Sequence, residues 1–322
     1  MHPSEVLFEG KRAPITLPVC DHYAGAEKLM VKSIALQQEL GPVFDITLDC
    51  EDGAAAGHEP AQAELVARLI ASSANQFERI GARVHDLRSP FFDNDIATIC
   101  TVAGDRLAYL VVPKIESAAE LEQAIAQINH HMPGRQAPLS IHVMIETPAA
   151  LEAAFTIAAL PQVACLSFGI MDFVSAHYGA IPASAMRSPG QFSHPLVTRA
   201  KLQIAAACHA HGKVASHNVT TEIKDSGIVA NDATRAAAEF GYTRMWSIHP
   251  DQIKPIIKSF APRSSEIAEA AAILSDAMAA DWGPIKYNGR LHDRASYRYY
   301  WTVLQRARAS GLAIPDSVAA LH

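Results

Sequence analysis

The chain has 322 residues, 49% hydrophobic and 19% charged, enough to bury one large core or two ordinary ones. Its 27 basic and 33 acidic residues give a formal charge of −6, and no block of like charge or basic-aromatic stripe appears, so nucleic acid and anionic membranes are not expected partners. Five scattered cysteines without a CxxC pair exclude a zinc ribbon or disulfide framework and fit a cytoplasmic protein, while no stretch reaches the roughly 20 apolar residues of a membrane span and the polar opening MHPSEVLFEGKR lacks the apolar core of a signal peptide.

In chain order, β-rich runs occur at PITLPVC (14–20), FDITLDC (44–50), ARVHD (82–86) and AYLVVPK (108–114). Four more follow at SIHVMIE (140–146), VACLSFG (163–169), KVASHNV (213–219) and MWSIHP (245–250). Between them lie amphipathic segments such as AGAEKLMVKSIALQQEL and SAAELEQAIAQINHHM, with apolar residues at three- and four-residue steps. Alternation of strand and helix requires parallel pairing, and eight units over about 250 residues predict an α/β fold, a (β/α)8 TIM barrel. An open doubly wound sheet is the alternative, but no GxGxxG or GxxxxGK[ST] follows the first strand.

The chain after Pro250 is longer than barrel closure requires. It reads as a helix (264–283), a turn-rich link GPIKYNGRLHD (283–293) and a second helix (295–311). We therefore divide the chain into a catalytic barrel, 1–260, and a C-terminal helical extension, 261–322. The links SAHYGAIPASAMRSPGQFSHP and GPIKYNGRLHD are expected to be flexible, the first as a loop over the barrel mouth.

In such a barrel the chemistry sits at the C-terminal ends of the strands. Those ends carry Cys20 and Asp21; Asp49, Glu51 and Asp52; Arg83 and His85; Lys114 and Glu116; Glu146; Asp172; His217 and Asn218; and His249. Glu146 and Asp172 end neighbouring strands, and two hard oxygen ligands with open positions suit Mg²⁺. Each carboxylate could instead cap a helix or pair with a lysine. Arg83 could grip a substrate carboxylate with its planar fork, or form an ion pair with Asp49 or Glu51. Asp49, Glu51, Asp52 and Lys114 are candidates for the shell supporting metal-bound waters or Arg83. The 15 histidines include no HExxH, and no GxSxG marks a serine nucleophile.

The ordered set LDCEDGAAAGHE, ARVHD, VPKIES, VMIETPAAL, LSFGIMDF and SIHPDQI resembles the citrate lyase β-subunit-like branch of the HpcH/HpaI aldolase family, over about residues 14–308. The resemblance implies a TIM barrel in a homotrimer or hexamer, with Mg²⁺ on Glu146 and Asp172. It implies that Arg83 binds the carboxylate or enolate end of the substrate, and Thr147 and Pro148, beside the metal carboxylate, are grouped with it as substrate-binding. It also implies that NGRLHD carries Asp293 into a neighbouring subunit's site, although Asp293 is equally placed to cap the following helix. The first strand departs from the family, with Cys20 read where a turn glycine is expected, which leaves open whether CoA or a carrier protein presents the acyl group.

The expected activity is Mg²⁺-dependent carbon–carbon cleavage or condensation of a carboxylated 3-hydroxyacyl thioester, giving an acetyl-type thioester and a 2-oxo acid. The rivals are a pyruvate-type aldolase that needs no thioester and a non-catalytic binding protein.

Overall fold

The alternating runs do close on themselves. The computed structural model describes residues 3–8, 13–53 and 57–319. Eight parallel strands form a closed barrel: β1 (Cys20–Ala24), β2 (Asp45–Asp49), β3 (Ile80–Arg83), β4 (Tyr109–Val112), β5 (Ser140–Ile145), β6 (Val163–Phe168), β7 (Val214–His217) and β8 (Arg244–Ser247). β8 returns to β1, with Asp21 opposite Trp246.

β1 corrects the sequence reading. The strand begins at Cys20 rather than ending there, and residues 14–18 lie outside any strand. Pro14 and Pro18 lack the N–H that a central strand must donate, whereas CDHYA hides its strand character behind two polar side chains. Asp21 is inward and buried because Arg244 of β8 pairs with it at 2.9 Å. Arg244 also reaches Asp45 of β2 at 2.7 Å. Cys20 and Asp21 thus lie at the opposite end of β1 from the mouth, and Gly25 is the residue that turns the chain after it.

The barrel interior changes character along its axis. At one end is the polar group of Asp21, Asp45 and Arg244, with Thr47 and the Tyr109 hydroxyl both bonded to Asp21. In the middle, Tyr23, Tyr109, Val111, Met144 and Trp246 pack together. Gly81 makes room here, because a Cβ would lie 2.4 Å from the Tyr109 ring. Asp49, Arg83 and Glu146 occupy the other end.

The long segment between β6 and β7 is pinned by buried polar side chains rather than loose. Gln191 donates to Asp232 at 2.9 Å and accepts from Lys201 at 3.0 Å and from Asn218 at 2.9 Å. Ser188 and Thr220 also bond Asp232. Lys201 contacts His217 and Asn218, so both strand-end side chains are committed to this buried network, although Asn218 still borders the mouth cavity.

Cys20–Phe260 form one compact unit; the second takes its residues from 1–19 and 261–322. In the latter, Leu7 of the helix Pro3–Leu7 packs among Leu274, Tyr297 and Leu304 of the helices Ser264–Ala279 and Arg294–Ala309, so the N-terminal helix belongs with the C-terminal extension. The turn-rich link is a hairpin, β9 (Ile285–Tyr287) and β10 (Arg290–His292). Asn288 and Gly289 connect its strands at φ 47° and 78°, the left-handed pair favoured by two-residue turns.

Candidate active site

The mouth of the barrel is organised by Arg83, which ends β3. Its Nε and Nη2 donate to the two oxygens of Asp49 at 2.7 and 2.6 Å, and Nη1 lies 2.9 Å from Glu51. Burial works against the guanidinium charge, but the bonds and charges of Asp49 and Glu51 overcome it and raise its pKa. Nη1 also faces the Met144 sulfur at 3.8 Å. Two of its five N–H donors are thus bonded to Asp49, while Glu51 Oε2 meets Nη1 as an ion pair and accepts no hydrogen bond. The ion pair weighed from sequence is therefore present, and it fixes Arg83 rather than consuming it.

Two glycines allow this arrangement. A Cβ on Gly53 would lie 2.3 Å from Asp49 Oδ2, the atom to which the Gly53 N–H donates at 2.8 Å. A Cβ on Gly25 would lie 1.8 Å from the Gly53 carbonyl, so the loops after β1 and β2 touch only because neither has a side chain there. The remainder of that turn, Ala54–Ala56, lies outside the described residues.

Lys114 ties the network to β5. Its Nζ donates to Glu51 at 2.5 Å and its backbone N–H to Glu146 Oε1 at 2.6 Å. The residue has φ 53°, a strained conformation for a side-chain-bearing residue that persists where surrounding bonds over-determine it. Arg83 and Lys114 thus balance Asp49 and Glu51. Glu51 itself is raised by burial against the pull of both cations.

No such balance exists for Glu146 and Asp172. Glu146 is 1% exposed, and burial, then the charge of Asp172, push its carboxyl up to about 8. Neither residue forms an ion pair with a basic side chain among the described residues. A Cβ on Gly169 would lie 2.6 Å from Glu146 Oε2, so this glycine leaves the carboxylate its space. Two mutually repelling carboxylates, one desolvated, fit a divalent hard cation that takes one or two protein oxygens and fills its other positions with water or ligand. Among the described residues no group of three His, Cys, Asp or Glu side chains is placed to hold a metal, so an all-protein cage is not the pattern.

Asp49, Asp52, Arg83 and Asp172 line a cavity of about 380 Å³ whose remaining wall includes Tyr23, Met144, Phe168 and Trp246. Tyr23 stacks on Trp246 with centroids 4.3 Å apart, and Arg83 lies 5.5 Å from the Tyr23 centroid. Phe168, Trp246 and Met144 were missed in the sequence because they sit inside strands and read as core, and Tyr23 because the first strand was read as ending at Cys20.

Other strand-end candidates point elsewhere. His85 pairs with Asp95 at 2.7 Å, Glu116 with Arg88 at 3.5 Å and His249 with Asp251 at 3.6 Å. Thr147 caps the helix Pro148–Glu152, accepting from the Ala150 N–H at 3.1 Å, and Pro148 opens that helix. Asp293 belongs to the second unit, where its Oδ1 accepts from the N–H groups of Ala295 and Ser296 as an N-cap.

Comparison with known proteins agrees with this architecture. The family model for HpcH/HpaI aldolase/citrate lyase matches residues 24–250. The chain is 30% identical over 278 residues to an L-malyl-CoA/β-methylmalyl-CoA lyase of Cereibacter sphaeroides, covering 81% of this chain and 86% of the relative. It is also 30% identical to a citrate lyase subunit β-like protein of Deinococcus radiodurans, over 77% and 84% of the two chains. A crystal structure of a citrate lyase from Burkholderia xenovorans is 56% identical over the full length of both chains, with a TM-score of 0.86. CitE from Mycobacterium tuberculosis, solved with magnesium, acetoacetate and coenzyme A, shares the fold at 22% identity and a TM-score of 0.66, over 92% of this chain and 98% of CitE. A barrel whose mouth joins Asp49, Glu51, Arg83 and Lys114 to Glu146, matched by the family model across nearly its whole length, belongs to the HpcH/HpaI aldolase/citrate lyase family and is a carbon–carbon lyase.

Proposed function

We propose that the protein cleaves, or in reverse condenses, a carboxylated 3-hydroxyacyl thioester, releasing an acetyl-type thioester and a 2-oxo acid, in a Mg²⁺-dependent reaction. The observation that carries this reading is the uncompensated Glu146–Asp172 pair beside a cavity into which an immobilised Arg83 projects. Glu146 and Asp172 would hold the ion, which when bound supplies Lewis-acid charge to the oxygens of the 2-oxo acid. Malyl-CoA lyase relatives and the magnesium in the CitE structure support the substrate class and the metal.

The remaining work falls to the chain. Arg83, held by Asp49 and Glu51, offers the N–H groups that Asp49 does not take to a substrate oxygen without reorganising when charge develops there. Cleavage removes the proton of the substrate hydroxyl, breaks the adjoining carbon–carbon bond and leaves its electron pair as a thioester enolate, which must then be protonated on carbon. We assign that protonation to Asp293 of a neighbouring protomer in a homotrimer or hexamer. Its capping bonds use Oδ1 alone, so Oδ2 remains for an incoming group.

The test is to incubate the protein and Mg²⁺ with acetyl-CoA and glyoxylate or pyruvate, and separately with pyruvate and aldehydes, and to identify products by mass. A hydroxyacyl-CoA product, lost on chelation and in Arg83→Lys, is expected, because a point charge cannot reproduce a bidentate fork. Products only in the aldehyde mixtures would replace this reading with a thioester-independent aldolase. Metal binding with no turnover in either would leave a binding protein.

A further inference from the structure

The cavity lining is poor in positive charge. Arg83 is the only basic side chain lining it among the described residues, against the three acids Asp49, Asp52 and Asp172. Much of the remaining lining is aromatic or apolar, with Tyr23, Met144, Phe168, Val219, Trp246 and Ile248. Tyr23 and Trp246 are 8% and 7% exposed, and their polar atoms, Oη and Nε1, are buried out of reach. What the stacked pair offers a ligand is therefore ring carbon.

This distribution limits the charge a substrate can bring. One carboxylate has a place, at the cation that Glu146 and Asp172 would hold and at the N–H groups of Arg83 that Asp49 does not take. A second would find no uncompensated cation in the lining: the Arg83 charge is already paired with Asp49 and Glu51, and the Lys114 ammonium is bonded to Glu51. It would be desolvated against aromatic carbon within the field of three aspartates, and burying an unpaired charge is strongly unfavourable. An uncharged alkyl or aryl group in the same place gains apolar contact instead.

Resting on the lyase reading above, we propose that the 2-oxo acid handled by this site carries a single carboxylate, and that its substituent beyond the oxo carbon is uncharged and apolar and packs on the Tyr23–Trp246 wall. Dicarboxylic oxo acids are excluded by the same wall, so Trp246 and Tyr23 determine specificity.

An isosteric pair tests this. 4-Methyl-2-oxopentanoate and oxaloacetate differ only in an isopropyl group against a carboxylate, and each is titrated by calorimetry into the Mg²⁺-loaded full-length protein at fixed free Mg²⁺. We expect the branched acid to bind at least about tenfold more tightly. Trp246→Ala should weaken it by about tenfold while changing pyruvate affinity less than about threefold, and Val219→Arg, which adds a cation to the apolar wall, should narrow the ratio. Equal or tighter binding of oxaloacetate by the wild-type protein overturns the proposal, whatever the variants do. Failure of every 2-oxo acid to bind, pyruvate included, overturns the lyase reading and this inference with it.

Discussion

If Glu146 holds the proposed cation, its electrostatics make metal affinity a function of pH. Burial first, and Asp172 second, lift its carboxyl from the ordinary glutamate value of 4.5 to about 8. At pH 7 the metal-free protein then keeps this proton on about nine molecules in ten. A cation needs the carboxylate, so binding must expel the proton. Mg²⁺ affinity should rise about tenfold per pH unit up to about pH 8 and level off above it, with about 0.9 proton released per ion at pH 7. Calorimetry between pH 6 and 9, in buffers of different ionisation enthalpy, counts those protons directly. The metal-free stability has the opposite slope: a carboxyl raised above its unfolded value binds more protons folded than unfolded, so stability falls as pH rises from about 4.5 through about 8, by on the order of 5 kcal/mol. Glu146→Gln should remove both the slope and most of the affinity. A flat Mg²⁺ affinity from pH 6 to 8 without proton release would show that Glu146 is not the titrating ligand.

Gly169→Ala should weaken Mg²⁺ binding by about tenfold or more with circular dichroism unchanged, because the new methyl would lie 2.6 Å from Glu146 Oε2 and must displace it; unaltered affinity would remove this carboxylate from the metal site. Arg244→Met leaves Asp21 and Asp45 buried without their guanidinium and should cost about 3–5 kcal/mol in urea unfolding at neutral pH, partly recovered in acid, so a loss under about 1 kcal/mol would contradict the pairing. Asp293→Asn retains a good cap, so stability should change by only a few tenths of a kcal/mol while turnover is lost. Co-assembly of Asp293→Asn with Glu146→Ala chains should restore up to about a quarter of activity if sites are shared between protomers; verified mixed oligomers with none would leave Asp293 as a cap or confine it to its own chain.

Alternation of apolar runs with amphipathic segments, and polar residues at the ends of those runs, made the barrel and the positions of Asp49, Arg83, Lys114 and Glu146 legible from sequence, because side-chain period and strand ends are local properties of the chain. β1 was displaced because Asp21, read alone, is a loop residue; only the β8–β1 closure supplies Arg244, more than two hundred residues away, to make it a core residue. The same closure brings Trp246 onto Tyr23, and local pattern cannot distinguish such a pair from ordinary core. The hairpin at Asn288–Gly289 did carry a local turn signal, which the surrounding polar residues masked. Whether Arg83 met a substrate or an aspartate was undecidable from spacing, since both use the same planar fork; the tertiary structure bonds two of its donors to Asp49 and pairs its charge with Glu51 as well. The sequence by itself therefore determined which residues stand at the mouth. The tertiary structure decided which charges cancel there, because cancellation depends on distances between strands that are remote in the chain.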